Sequence, residues 1–113
     1  MLWLCLVFLL GQAGTPAPTT EPLRGHLRAE RFSFTPSQIK VAEGQPLELT
    51  IASDDTQHGF WIRKLGINQL IPARGKGELR LTIPPLKRGT YIFECSRACG
   101  AGHNMMRGAI KVE

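Results

Sequence analysis

The sequence predicts an all-β protein, a sandwich or barrel of about seven short strands. β-Branched and aromatic residues recur in brief runs from Leu27 onward, and Gly, Pro, Asn and Asp separate these runs. The same region lacks the periodicity of an amphipathic helix. With 113 residues, the chain has room for one domain with one compact core.

Each strand is predicted from the alternation of apolar and polar side chains along a short run. Phe32 and Phe34 alternate with polar neighbours in the first run. Turn residues over 43–46 and 75–77 predict two tight turns, each expected to close a hairpin. The predicted strands cover residues 31–34, 38–41, 47–51, 58–62, 78–83, 90–94 and 108–112, with an antiparallel arrangement and a mixed segment over 66–74.

The N-terminus begins with an apolar run, MLWLCLVFLL, that changes into small residues, Pro and Thr. A bilayer-spanning helix needs roughly 20 apolar residues, and this run is shorter. We therefore expect residues 1–25 to be a signal peptide or short N-terminal anchor plus linker, and residues 26–113 to form the domain. His26, at the boundary between the two, is expected to continue the linker and to be solvated. Cleavage would remove Cys5 and leave Cys95 and Cys99 as the cysteines of the domain.

The formal charge is +5, with 14 Lys and Arg against 9 Asp and Glu. The basic residues are scattered from Arg24 to Lys111 without a cluster, which indicates a solvated surface and argues against a nucleic-acid partner. Their sign favours an acidic docking partner or an anionic membrane surface.

The segment between the last two predicted strands, CSRACGAGHNMM, concentrates metal-binding side chains. Thiolate and thioether sulfur favour copper, and imidazole also suits it. His58 begins an earlier strand, which a Greek-key topology can bring beside this late loop.

The number of cysteines decides which copper site the segment favours. One Cys with two His and a weak Met would make a mononuclear blue-copper site, but this segment has a second Cys. Two thiolates in a CxxxC spacing can bridge two copper ions, each capped by one His. A weak Met on one side and a backbone carbonyl on the other would complete the two sites. The ligands predicted from this count are His58, Cys95, the backbone carbonyl of Arg97, Cys99, His103 and Met106.

The same segment, with HGFWI upstream, resembles the binuclear CuA motif of cytochrome c oxidase subunit II, CxExCxxxHxxM. Cys95, Cys99, His103 and Met106 match its spacing without a gap, and the likeness extends from about Phe32 to the C-terminus. The resemblance implies a cupredoxin-like Greek-key fold and two copper ions that share one delocalised electron. It also implies electron transfer from a cytochrome c-like donor to the catalytic subunit of an oxidase or reductase. The family spacing assigns the weak axial position to Met106 and leaves Met105 as a packing residue.

Three features depart from that family. Arg97 replaces the Glu of the motif, which keeps the backbone carbonyl but removes a carboxylate that helps bind magnesium in many relatives. Only one short apolar segment precedes the domain, which favours a free-standing carrier over the usual transmembrane hairpin. Acidic residues that commonly dock cytochrome c are not prominent and the domain is basic, so the identity of the donor stays open.

Other interpretations of these residues stay open. Cys95 and Cys99 could form a disulfide in an exported protein, and the domain would then be a structural binding module. His58 could be an ordinary strand residue, and Trp61 could pack in the core or assist electron entry. A periplasmic copper chaperone or store would use the same soft ligands. We expect an electron-transfer protein, by its resemblance a subunit II-like component of an oxidase, that is exported to the periplasm or the outer face of the cytoplasmic membrane. Its membrane association would come from its N-terminus or from a partner.

Overall fold

The structure is a computed structural model that describes residues 21–97 and 105–113. The described residues form two packed β-sheets and one short 3-10 helix, which confirms the predicted all-β sandwich. Within these two ranges, no helix is long and apolar enough to cross a bilayer. The strands are β1 (Leu23–Glu30), β2 (Ser33–Thr35), β3 (Gln38–Val41), β4 (Leu47–Ser53), β5 (His58–Ile62), β6 (Ile67–Ile71), β7 (Leu79–Ile83), β8 (Gly89–Glu94) and β9 (Arg107–Val112), and the 3-10 helix is Arg63–Leu65.

The strands divide into a four-stranded sheet, in the order β2-β1-β4-β7, and a five-stranded sheet, in the order β3-β9-β8-β5-β6. Strand β1 pairs with β4 in parallel, and β3 pairs with β9 in parallel. The expectation of a purely antiparallel sandwich is therefore wrong for these two pairs. For β1 and β4, the reason is that the chain crosses to the opposite sheet in β3 before it returns in β4 with the direction of β1.

Two of the strands, β1 and β6, were not predicted. Strand β1 has no β-branched residue, and only Leu27 and Ala29 are deeply buried in it. Its order comes from pairing with β4 over seven residue pairs, which sequence patterning cannot detect. His26 therefore lies in a strand, where it is exposed, and not in a linker. Strand β6 lies at a sheet edge with exposed polar residues at its centre, which hides the apolar alternation.

The two turns occur where they were predicted, but neither closes a hairpin. Gly44 lies between β3 and β4, and Gly75 lies between β6 and β7, and in both cases the flanking strands belong to different sheets. Gly44 has a φ of 81°, a left-handed conformation that favours glycine. The sequence locates a turn from such residues, but the packing of the sheets decides which strands pair.

Three phenylalanines from three strands form the centre of the core. The ring centroids of Phe34 and Phe93 are 5.1 Å apart, and those of Phe60 and Phe93 are 5.0 Å apart. Because alternate residues of a strand share a face, the inward rows that hold Phe60 and Phe93 continue to His58 and Cys95. The aromatic core thus sets the direction of two predicted ligands.

Candidate metal centre

His58 and Cys95 meet at one end of the sandwich. His58 begins β5 and is 0% exposed, and Cys95 directly follows β8 and is also buried. Their strands are neighbours in the five-stranded sheet and pair through Trp61 and Glu94. The His58 Nδ1 and Cys95 Sγ atoms are 3.9 Å apart. The structure therefore joins two predicted site residues that are 37 positions apart in the sequence.

The imidazole of His58 is held in a defined orientation by Asp55. The Nε2–H group donates to Asp55 Oδ1 over 2.7 Å, because an ionised carboxylate can only accept. In the neutral ring the lone pair then lies on Nδ1, the atom that faces the sulfur of Cys95. A carboxylate that accepts from the second nitrogen is the common arrangement for a metal-binding histidine.

Asp55 is itself fixed by the loop between β4 and β5. Its Oδ2 accepts the backbone N–H of Arg31 over 2.9 Å, and its own N–H donates to Ser53 Oγ over 3.1 Å. Burial by itself would raise the pKa of Asp55, but the hydrogen bonds from Arg31 and His58 outweigh it and hold the pKa below its usual value. The carboxylate is therefore ionised near neutral pH and acts as an acceptor for His58.

The sulfur of Cys95 has two further polar neighbours. The backbone N–H of Gly59 points at Sγ over 3.5 Å, and the carbonyl oxygen of Arg97 lies 3.3 Å from Sγ. Two donors that share one metal ion, with bonds of roughly 2.0 Å to nitrogen and 2.3 Å to sulfur, lie about 3.5–4 Å apart. The observed spacing of sulfur and imidazole nitrogen fits such sharing, and the soft sulfur with borderline nitrogen suits copper.

The backbone next to Cys95 packs tightly over β5. A Cβ atom on Gly59 would lie 1.9 Å from Ser96 Oγ and 2.9 Å from Ser96 N. Ser96 Oγ also donates to Asn68 Oδ1 over 2.6 Å, which ties this segment to β6. Glycine at position 59 thus allows Cys95 and Arg97 to approach His58.

The start and end of the late loop are joined by a backbone hydrogen bond from Cys95 N to Met106 O, over 3.1 Å. Met106 is 0% exposed, whereas Met105 is 79% exposed. The expectation that Met105 is a packing residue is therefore wrong, because the backbone enters β9 with the side chain of Met106 pointing inward and that of Met105 outward.

Cys99 and His103 lie outside the described residues, as do Cys5 and the first twenty positions. Within the described ranges, no three side chains of His, Cys, Asp or Glu converge as a metal site. The structure thus brings together His58, Cys95 and the carbonyl of Arg97, and it buries Met106 at the junction with β9.

Sequence reasoning missed the role of Asp55, which lies between the predicted strands 47–51 and 58–62. The usable signal was an acidic residue three positions before a candidate ligand histidine. Trp61 is not in the core: it is half-buried on the outer side of β5, where the guanidinium of Arg63 lies 3.9 Å from its ring centroid.

Comparisons with known proteins agree with the fold. A family model described as a cupredoxin-like domain matches residues 1–112. Cytochrome c oxidase subunit 2 of Thermus thermophilus is 33% identical over 90 residues, which cover 78% of this chain and 64% of that protein.

Two solved structures have the same fold. One, a heme-copper terminal oxidase dimer, matches with a TM-score of 0.70 and 27% identity over 80% of this chain and 65% of that chain. The other, the periplasmic domain of subunit II of the cytochrome oxidase of Bradyrhizobium japonicum, matches with a TM-score of 0.69 and 18% identity over 80% of this chain and 83% of that domain. The matched region is thus just under two thirds of the Thermus subunit and of the oxidase chain. The fold and the family model together confirm the Greek-key expectation, and the chain belongs to the cupredoxin-like domain family.

Proposed function

We propose that this chain is a copper-binding electron-transfer domain with a binuclear CuA-type centre. It takes electrons from a cytochrome c-like donor and passes them to the catalytic subunit of a terminal oxidase or related reductase. Its ligands would be His58, Cys95, the carbonyl of Arg97, Cys99, His103 and Met106. The similarity to cytochrome c oxidase subunit 2 supports this function.

The observation that carries the proposal is the buried approach of His58 Nδ1 to Cys95 Sγ, with Nε2 bound to Asp55. A solvated strand histidine has no need of a carboxylate that fixes its tautomer. A buried histidine beside a thiol can accept an S–H···N hydrogen bond, and loss of that thiol proton leaves a thiolate and an imidazole lone pair that can hold a metal ion together. This arrangement is expected where a metal ion lies between imidazole and sulfur.

The described residues would serve electron transfer by holding the ligands in fixed positions. Copper would supply the one-electron couple, and its reduction potential depends on the ligands and on hydrogen bonds to the sulfur. Asp55 holds the ring of His58, the Gly59 N–H group points at Cys95 Sγ, and the aromatic core behind both residues excludes water. A rigid, dry site keeps the geometry similar in both oxidation states.

Reconstitution of the full chain with copper tests the proposal. We expect two copper ions per chain, a purple colour and a seven-line electron paramagnetic resonance spectrum. In a Cys99→Ser variant we expect the seven-line pattern to disappear while the circular dichroism spectrum keeps its β character. Met105→Leu is the control that replaces an exposed sulfur in the same loop, and it should keep the pattern.

Three outcomes would contradict the proposal. A labile, colourless Cu(I) species that transfers to a chelator would favour a copper chaperone or store. A Cys95–Cys99 disulfide that persists under reducing conditions and never takes copper would favour a structural binding module. A four-line spectrum with one copper ion would indicate a mononuclear site.

The predicted segment 1–25 overlaps β1, which begins at Leu23. We also propose that the part of this segment before β1 directs export or anchors the chain, so that the domain acts in the periplasm or at the outer face of the cytoplasmic membrane. The mass of the protein recovered from the periplasm distinguishes the two routes: a cleaved signal peptide gives a shortened chain, and an anchor leaves the full mass in the membrane fraction. Recovery of the full-length chain from the cytoplasm would contradict both routes.

A further inference from the structure

The charges of the domain are distributed unequally between its two sheets. Five cations lie on the five-stranded sheet and its adjoining 3-10 helix, against one carboxylate, Glu94. The strands of the four-stranded sheet carry three cations and two carboxylates. One carboxylate also directly follows a strand of each sheet: Asp54 follows β4 and pairs with Arg28, and Glu113 follows β9. The five cations are Lys40, Arg63, Lys64, Arg107 and Lys111.

The strand register places most of these charges on the outer side of the sheet. Lys40 on β3 lies directly opposite Lys111 on β9, and Arg107 on β9 lies opposite Glu94 on β8. Directly paired residues share a face, and the buried neighbours Ile39, Val41, Ile110 and Val112 occupy the inner one. We call the outer surface formed by Lys40, Arg63, Arg107 and Lys111 the basic face. These residues come from three separate segments of the sequence, so the basic face exists only in the folded protein.

Apolar side chains also lie on the outer side of this sheet, with Ile92 on the central strand β8 and Leu70 on the edge strand β6. Ile92 is 48% exposed and Leu70 is 37% exposed, and Trp61 is half-buried beneath Arg63. Ile92 pairs with Ala109 on β9, and Leu70 pairs with Gly59 on β5, so both lie on the outer side. An apolar centre with a charged rim is the usual composition of a protein docking surface.

The basic face also leads to the candidate metal centre. Trp61 pairs directly with Glu94, and Glu94 is covalently joined to Cys95. An electron that arrives at the Trp61 ring therefore has a short path through one strand pair to the sulfur of Cys95. Measured from Trp61, Lys111 lies four residues along the strands and two strands across, or about 16 Å, and Lys40 lies one strand further, at about 19 Å. A docking footprint of about 800 Å² per partner, which has a radius of about 16 Å, therefore reaches from Trp61 to this end of the face.

We propose that the basic face docks an acidic protein, the electron donor of this domain. The identification of this partner as the electron donor rests on the proposed function. Charge complementarity selects an acidic surface, and the apolar centre selects a protein that can cover Trp61 and Ile92. A uniformly anionic bilayer fits less well, because Glu94 lies within the face, bonded to Arg63 and 3.8 Å from Arg107.

Two double variants with the same change in net charge test the proposal. Lys40→Glu with Lys111→Glu alters the basic face. Lys76→Glu with Arg80→Glu alters exposed positions in the β6–β7 turn and on the four-stranded sheet. Both variants lower the charge equally, so a difference between them reports the location of the binding surface and not the total charge.

The binding probes are an acidic c-type cytochrome, a basic c-type cytochrome, and vesicles of phosphatidylglycerol or of phosphatidylcholine. Titration of the full chain at low ionic strength should show binding of the acidic cytochrome. The Lys40/Lys111 variant should bind it at least about tenfold more weakly, and the Lys76/Arg80 variant within about twofold of the unaltered chain. Added salt should weaken the binding of the unaltered chain and leave that of the Lys40/Lys111 variant nearly unchanged.

Equal losses in the two variants would overturn the proposal, as would tighter binding of the basic cytochrome. Sedimentation with phosphatidylglycerol vesicles and no binding of the acidic cytochrome would overturn it in favour of a membrane surface. Titration detects docking even where no electron is transferred. If the acidic cytochrome binds as expected but copper reconstitution fails, the proposed function is refuted and the docking proposal stands.

Discussion

His58 Nδ1 lies 3.9 Å from Cys95 Sγ while the opposite nitrogen of the same ring donates to Asp55. The ring is therefore fixed on one side and presents its lone pair on the other. The residues on both sides of the ring can be tested by substitution.

The hydrogen bond between Asp55 and His58 should control both stability and metal affinity. Asp55→Ala leaves the buried Nε2–H of His58 without its acceptor, so we expect the free energy of unfolding to fall by about 1–3 kcal/mol. Copper affinity in a chelator competition should fall about 10- to 100-fold. Asp55→Asn can still accept the hydrogen bond, and it should recover part of both losses.

The matched control for this substitution is Asp54→Ala, which removes a neighbouring carboxylate that pairs with Arg28 and does not contact His58. Nitrogen-15 shifts of the His58 ring report the tautomer directly. A ring that keeps its proton on Nε2 in Asp55→Ala, with unchanged copper affinity, would contradict the assigned role.

Gly59 should be required for the path of the chain beside Cys95. In Gly59→Ala the new Cβ would lie 1.9 Å from Ser96 Oγ, so the segment that holds Cys95 must shift. We expect a destabilisation of about 1–3 kcal/mol in urea unfolding, with weaker copper binding. Adding Ser96→Gly removes the closest contact and should restore part of the stability, although Ser96 N at 2.9 Å remains close. Equal stabilities of the three proteins would show that the segment adapts freely.

Gly108 should be required for the packing of Phe93. A Cβ at position 108 would lie 2.2 Å from Phe93 Cζ and 2.6 Å from the carbonyl oxygen of Ser37. Gly108→Ala should therefore move Phe93 out of its contact with Phe60 and lower the free energy of unfolding by about 1–3 kcal/mol. Thermal unfolding measures the loss. Ala109→Ser, at the next and outward position of β9, is the control and should change stability by less than about 0.5 kcal/mol.

The two methionines of the late loop should respond differently to the same substitution. Met106→Leu conserves volume at a fully buried position, so it should cost less than about 1.5 kcal/mol of stability. If the thioether is a weak ligand, its loss should raise the reduction potential and change the optical spectrum of the copper-loaded chain. Met105→Leu changes an exposed side chain and should alter neither. A spectrum and potential that are the same in both variants would remove Met106 from the ligand set.

The all-β class could be predicted from the sequence because alternation is a local property of a strand. Seven of the strands were expected, and their inward rows include Phe60, Phe93 and Ile110. Strand β1 could not be recognised in this way. Its stability depends on its parallel partner β4, which begins at Leu47, and that pairing leaves no pattern within β1 itself.

The candidate ligands were predictable for a different reason. The spacing of Cys95, Cys99, His103 and Met106 is compact, and the chemistry of sulfur and imidazole makes copper the natural expectation. His58 was predicted from its place at the start of a strand and from the resemblance, whereas its carboxylate partner was not. Asp55 and Ser53 form a local hydrogen-bonded loop whose direction depends on Arg31 from another part of the chain.

The sequence by itself determined the strand-forming runs, the turns and the residue types that can hold copper, since each depends on neighbours within a few positions. Only the tertiary structure decided that Asp55 orients His58 and that Lys40 and Lys111 lie side by side. Both results depend on which strands become neighbours. That choice is made by the packing of two sheets around one core, which no single segment encodes.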